Sequence, residues 1–278
     1  MIDAILTHAS PLLLLLIATP AHLIGAAVAL WRRSTNEGGA AVGAVLGTIV
    51  FVTAGPLLWL LFAAFVLSST AFTRFRAKEK ERFAAIHEKG AQRDMFQVLA
   101  NGGVAMAMAI LLRLTKEPQF AFAFAASLAS ANADTWASEI GELSRRTPVS
   151  PLTFRHVPPG TSGGVTLLGL GVSLGGAILI ALLFALISAT AAGHLPDFLH
   201  LAGCTTAAGF FGSLVDSVLG CTVQARYTAP DGSATERRTT NGIPNSLSRG
   251  LAFFTNDLVN FLTTLTAAVA GALLASLR

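Results

Sequence analysis

Apolar residues in this chain come in runs close to the ~20 residues that span a bilayer as helix, separated by short polar stretches. Pro11 to Trp31 is the first run. Gly39 to Ser69 is too long for one upright helix and carries Gly55-Pro56 near its middle. That break predicts a hairpin of two short helices, with one tilted helix as the alternative. Gln97 to Leu112, Gln119 to Ser138, Val165 to Ala191, Leu199 to Val223 and Leu251 to Leu277 follow. The set gives eight spans with the hairpin and seven without it.

Composition sharpens the class. The 278 residues are 53% hydrophobic and 12% charged, with mean hydropathy +0.64. Soluble domains carry roughly 25% charged residues. The fold class is all-α, a polytopic transmembrane helical bundle with cytoplasmic loops forming the site. The expected organisation is one integral membrane domain over 1–278, with its core from 39 to 278 and an N-terminal transmembrane helix and loop over 1–38. A cleaved leader does not account for the hydrophobicity, because the later runs repeat it. Cys204 and Cys221 lie on one predicted helix, ~25 Å apart by helical rise, so they do not pair.

The formal charge of +4 first reads as a nucleic-acid signal, but mapping it points to membrane orientation. Arg74, Arg76, Lys78, Lys80, Arg82, Lys89 and Arg93 fill one loop. Arg145, Arg146 and Arg155 fill a second, and Arg226, Arg237, Arg238 and Arg249 a third. Gly193 to His200 has neither Lys nor Arg, and Lys116 is the exception on that side. The three basic loops therefore face the cytoplasm, and the chain is expected in the plasma (inner) membrane.

This topology gathers the polar residues of the spans in one leaflet. Asp94, Gln97 and Asn101 share a helix face at i, i+3, i+7. Ser127, Ser130, Asp134 and Ser138 form a stripe, with Glu139 and Glu142 alongside. Gly209, Gly212, Asp216 and Gly220 make a face of small residues around one carboxylate. Asn256, Asn260 and Thr263 align, flanked by Asp257. A carboxylate within lipid costs about 3 kcal/mol on insertion scales, so such acids mark function; amides such as Asn101 also serve as helix-to-helix glue. Several acids facing a basic surface fit Mg²⁺ and phosphates, since Mg²⁺ takes carboxylate, water and phosphate oxygens. The loop Val157-Pro158-Pro159-Gly160-Thr161-Ser162-Gly163-Gly164-Val165 opens into a helix. Its free amides suit phosphate, although glycine and proline also simply turn chains.

The run Ala133-Asp134-Thr135-Trp136-Ala137-Ser138-Glu139-Ile140-Gly141, that loop, Gly212-Ser213-Leu214-Val215-Asp216-Ser217-Val218-Leu219-Gly220 and Asn256-Asp257-Leu258-Val259-Asn260 carry a family resemblance. Together with Arg74, Lys80, Arg93 and Gln97 to Gly103, they resemble the integral-membrane family known as domain of unknown function 92, from Gly39 onward. That family includes plant phytyl-phosphate kinase. The resemblance implies transfer of the terminal phosphate of a nucleoside triphosphate, CTP favoured, to a membrane-embedded isoprenoid monophosphate, giving the diphosphate.

On that reading Asp134, Asp216 and Asp257 hold Mg²⁺, assisted by Glu139, Asn256 and Asn260. Thr161, Ser162, Gly163 and Gly164 cradle phosphates. Arg74, Lys80, Arg93, Arg155 and His156 meet the anionic groups, with Asn101 lining the site. The family pattern implies Lys or Arg where His156 stands. The loop over 226–250 lacks the Cys and His that bind zinc in some relatives, so no zinc and a more mobile loop are expected. Partners are the nucleotide, the isoprenoid monophosphate and the bilayer, without nucleic acid, and the small-residue faces permit a homo-oligomer. The alternatives are an ion-coupled transporter, which calls for inverted repeats and midplane polar groups, and a non-catalytic lipid-phosphate-binding protein.

Overall fold

A computed structural model describes residues 9–83, 86–90, 92–192 and 198–277. The chain is an integral membrane helical bundle. Its helices are α1 (Pro11–Trp31), α2 (Glu37–Arg74), the short α3 (Ala77–Lys80), α4 (Met95–Thr115), α5 (Pro118–Gly141), α6 (Leu167–Ala192), α7 (Phe198–Thr222) and α8 (Asn256–Ala275). Among the described residues six of these are long and apolar enough to cross a membrane. The less apolar α5 runs up the middle, its side chains buried without interruption from Ala121 to Ala133.

Helix starts follow local chemistry. Ser10 caps α1 by accepting from Leu13 N, with Pro11 at the first helical position. Asn36 caps α2 through Gly39 N, and Thr255 caps α8 through Leu258 N. Asp94 and Gln97 form a reciprocal capping box at the start of α4.

The long apolar run is a hairpin. Gly55 takes φ 83°, ψ 165°, followed by Pro56, and separates the arms 37–54 and 56–74. As one straight helix the ends of α2 would lie ~55 Å apart. Instead Arg74 Nη2 donates to Arg32 O (2.9 Å) and Ser34 Oγ (2.7 Å), just before the helix begins. Leu46 and Phe62, one from each arm, both face Gly102 of α4. Trp59 Nε1 donates to His22 Nε2 at 2.9 Å, and Thr48 of the other arm meets the same imidazole, which docks α1 on both arms. Counting the two arms of α2 separately, the described residues make eight helical passes through the bundle.

Small residues let the helices close on α5. Ideal Cβ atoms built on Gly209 and Gly271 would lie 2.5 and 2.6 Å from Ala129 and Ala126 Cβ, and one on Gly212 would lie 2.2 Å from Ser130 Oγ. Asn132 acts as glue there, donating to Gly176 O and accepting from Ser68 Oγ.

Among the described residues the long connections fall at one end, the loop face, and the other end carries the Gly55 bend and the Lys116-Glu117 turn. Among the described residues every Lys and Arg except Arg113 and Lys116 lies at or beyond the loop-face ends of the helices. The segment over 223–255, read as a loop in an all-helical chain, forms a small β cap. Strands β1 (Arg226–Thr228), β2 (Ala234–Thr235) and β5 (Ser246–Arg249) pair antiparallel in the order β2-β1-β5. Strands β3 (Thr239–Thr240) and β4 (Ile243–Pro244) form a hairpin. Asn241 (φ 51°) and Gly242 (φ 81°) make its two-residue turn, the positive-φ pair that matches strand twist.

Candidate functional site: a carboxyl pair beneath the loop face

Ser130, Gly212 and Ala267 meet at one level of α5, α7 and α8. One helical turn toward the loop face from that contact stand Asp134, Asp216 and Thr263. The carboxyl groups of Asp134 and Asp216 face each other within electrostatic reach. Asp216 Oδ2 is buried and has no hydrogen-bond partner. Two facing carboxyl groups hold together through a shared proton or a bound cation. Mg²⁺ is commonly held by one or two carboxylates, its remaining positions going to water and phosphate, and this pair with its orphaned oxygen fits that donor set. Thr263 and Asn260 are buried on the neighbouring face of α8.

Asp257 does not join the pair. Its Oδ2 accepts from Lys89 Nζ, which also reaches Asp94 Oδ2 at 2.7 Å. The reason is helical phase: one residue on from Asn256 is a turn of about 100°, which carries Asp257 from the Asn256–Asn260–Thr263 stripe toward α4. Among the described residues no three His, Cys, Asp or Glu side chains gather to hold a metal. The expected three-aspartate site is thus reduced to two. Burial opposes the charge of Lys89, but its bonds to Asp257 and Asp94 outweigh this and raise its pKa. Burial acts to raise the Asp94 carboxyl, while Lys89 and the Gln97 amide more than reverse that and lower it.

Lys80 and Arg74, expected at the phosphate, are committed elsewhere. Lys80 is 9% exposed, and its ammonium donates to Phe72 O (2.8 Å), Thr73 O (2.9 Å) and Glu139 Oε2. These are all the donors it has, so it ties the end of the α2 hairpin to α5. Glu139 also accepts from Thr73 Oγ1. Arg93 differs: burial lowers its pKa, Glu139 is its electrostatic partner, and among the described residues it makes no salt bridge. Its guanidinium lies over the Phe65 ring, 6.0 Å from the centroid. Asn101 Nδ2 donates to Gln97 O within its own helix.

The glycine-rich loop is packed rather than open, which corrects the phosphate-cradle expectation. Gly163 (φ +76°) lies against α7 so closely that a Cβ would sit 2.3 Å from Ser217 O and 2.4 Å from Cys221 N. The amides of Thr161 and Gly164 are bonded to Pro158 O and Thr161 O. Ser162 Oγ donates to Glu236 Oε1 at 2.5 Å, and Thr161 Oγ1 is buried without a partner. The next helix is capped internally, Thr166 Oγ1 accepting from Gly169 N. Arg155 and His156 are exposed on the outer side of this loop.

Sequence reasoning missed Glu236. It is 9% exposed and accepts from Ser162 Oγ, Gln224 Nε2 (3.0 Å) and Glu88 N (3.3 Å), within electrostatic reach of Asp216. In Thr235-Glu236-Arg237-Arg238 it reads as a solvated surface residue, and only the β cap buries it. The Asn241-Gly242 turn was the available signal for that cap. His87 Nε2 meets Glu142 Oε1 at 2.5 Å, with Glu236 3.9 Å from Nδ1. The bond to Glu142 raises the His87 pKa above 6.5 despite burial. Asn256 lines a small cleft with Glu88, Gln224 and Glu236.

Comparison with known proteins gives no matching solved structure. The chain is 31% identical over 255 residues to Protein PGR of Arabidopsis thaliana, covering 84% of this chain and 86% of that one. It is 30% identical over 188 residues to an uncharacterized membrane protein of Methanocaldococcus jannaschii, covering 68% and 74%. Protein VTE6, chloroplastic, also of Arabidopsis thaliana, is 26% identical over 139 residues, covering 48% of this chain and 42% of that one. The profile of the family described as integral membrane protein DUF92 matches residues 20–268, so the chain, with its carboxyl pair at the loop-face ends of two packed helices, belongs to that family.

Proposed function

We propose that this protein is a prenyl-monophosphate kinase working at the loop face, which is directed to the cytoplasm from the plasma (inner) membrane. The observation that carries the proposal is the facing Asp134–Asp216 pair, with one buried oxygen unpartnered, at the head-group end of the bundle. Resemblance to a family containing plant phytyl-phosphate kinase supplies the substrate class.

In the reaction an oxygen of the isoprenoid monophosphate attacks the terminal phosphorus of the nucleoside triphosphate, CTP favoured. The bond from that phosphorus to the bridging oxygen breaks and the nucleoside diphosphate leaves. The attacking group is already an oxyanion, so no strong general base is needed. Catalysis is positioning plus charge neutralisation. Asp134 and Asp216 are the residues that would hold Mg²⁺, which supplies positive charge to the phosphate oxygens. Arg93, which lies within electrostatic reach of Glu139 and makes no salt bridge among the described residues, meets the anionic substrate. Lys80 and Glu139 hold the hairpin in place beneath it. Asn256 and Asn260 offer amide donors from α8.

An ion-coupled transporter uses broken helices around its ion. Here the broken helix bends at Gly55, at the opposite end from the acids.

The test is diphosphate formation by purified protein, comparing wild type with Asp134→Asn and Asp216→Asn. Removing either carboxylate is expected to lower turnover at least ~100-fold, in line with loss of a charge-stabilising group. Mg²⁺-CTP should raise the wild-type melting temperature more than Mg²⁺ alone. Wild-type turnover in both variants would remove the pair from the reaction.

A further inference from the structure

A groove of about 600 Å³ runs between α4 and α8 on the outer side of the bundle. Its walls are apolar: Phe96 and Leu99 on α4 and Phe261 on α8 are 59%, 38% and 40% exposed, so they border the lipid rather than the core. Its inner side is closed where Thr264 Oγ1 donates to Ala100 O at 3.2 Å. Gly103 leaves the groove open, because a Cβ there would meet nothing within 4 Å.

The mouth has the opposite character. Lys89 sits there between Asp94 and Asp257, with Glu88 beside them. Lys89 has a third N–H beyond its two carboxylate partners, and Asp257 Oδ1 is buried without a partner. Three acids against one base repel a bare phosphate and attract one that arrives bound to a divalent cation. Glu88 and Thr255 also line the small cleft that holds Glu236 and Asn256. Glu236 in turn lies within electrostatic reach of Asp216. A head group at Lys89 therefore stands at the near end of a polar path to the carboxyl pair.

We propose that the isoprenoid chain of the acceptor lies in the α4–α8 groove, its phosphate at Lys89 and Asp257 as a divalent-cation complex. This rests on the kinase reading for the identity of the ligand. The groove is the chain-recognition site, with length measured along α4 from Phe96 to Gly103. Its open side lets a substrate slide in from the bilayer.

The probe is a diazirine-bearing C20 isoprenyl monophosphate, applied to the full chain in nanodiscs with Mg²⁺, with labelled residues read by mass spectrometry. Labels are expected within 96–103 and 258–261. Gly103→Phe fills the groove from α4 and Phe261→Trp narrows it from α8; each should cut labelling at least ten-fold with the melting temperature held. The corresponding C20 alcohol should label the same segments more weakly, and removing Mg²⁺ should lower labelling by the phosphate but not by the alcohol. Labelling elsewhere, undiminished labelling in both variants, or equal competition by phosphatidylethanolamine overturns the proposal. Groove labelling without any diphosphate formation would sink the kinase reading alone. Diphosphate formation with labels elsewhere would sink the groove alone.

Discussion

Replacing Lys80 with methionine separates a structural lysine from a phosphate-binding one. The ammonium bonds two backbone carbonyls at the end of α2 and the Glu139 carboxylate, and its side chain is 8% exposed against 22% for Glu139. Removing one partner of a buried ion pair costs about 3–5 kcal/mol, largely by stranding the other charge. Glu139 keeps some solvent and its bond from Thr73, so the lower end, about 3 kcal/mol, is expected. At roughly 2–4 °C per kcal/mol for a chain of this size, the melting temperature falls by about 6–12 °C. Adding Glu139→Gln removes the stranded charge and should restore about 1 kcal/mol or more. Tryptophan fluorescence is a suitable readout, because Trp136 stacks edge-on with Phe72, ring centroids 4.4 Å apart, beside the pair. Well below the transition, the single variant should retain most of its turnover. An unchanged melting temperature with turnover abolished would refute the reasoning and return Lys80 to the substrate.

Gly163→Ala should destabilise by more than about 2 kcal/mol, because the left-handed penalty of ~1–2 kcal/mol adds to a collision with the α7 backbone. Gly232→Ala is the control, with a similar φ of +83° and nothing within 4 Å of the added Cβ, and should cost only that penalty; equal losses in the two would refute the packed-loop geometry. For His87, the folded pKa lies above its ordinary value of 6.5, so its contribution is complete below about 6.5 and disappears as pH rises through the folded value. The melting-temperature advantage of wild type over His87→Gln should therefore be larger near pH 5.5 than near pH 8.5, and a gap that widens with pH would contradict the Glu142 latch.

The transmembrane architecture was legible because lipid imposes one simple rule, long apolar helices with charge at their ends. Gly55-Pro56 announced the hairpin, and helical spacing placed Asp134 and Asp216 on faces that do meet. Asp257 shows the limit: sequence gives its depth and helical phase, while only the fold shows that Lys89, from a separate loop, waits on that side as its partner. Lys80 and Gly163 fail for a related reason. Lysine and glycine suit phosphate sites and tight packing equally, and only the neighbouring carbonyls or helix backbone tell which applies. Glu236 was hidden because the fold that buries it is built from strands of two to four residues, too short for periodicity to reveal.

The end of the bundle away from the loops consists of the Gly55 bend, the Lys116-Glu117 turn and little other polar chain among the described residues. At the Gly55 and Lys116-Glu117 bends, biosynthetic insertion therefore has scarcely any hydrophilic cargo to push through the bilayer. Each of these two bends joins a helical pair that can enter the bilayer as a closed unit, its charged connections staying together at the loop face. A basic tag placed at Gly55 would burden exactly the step that the native chain keeps light, and would betray itself as protein stalled or inverted in the membrane.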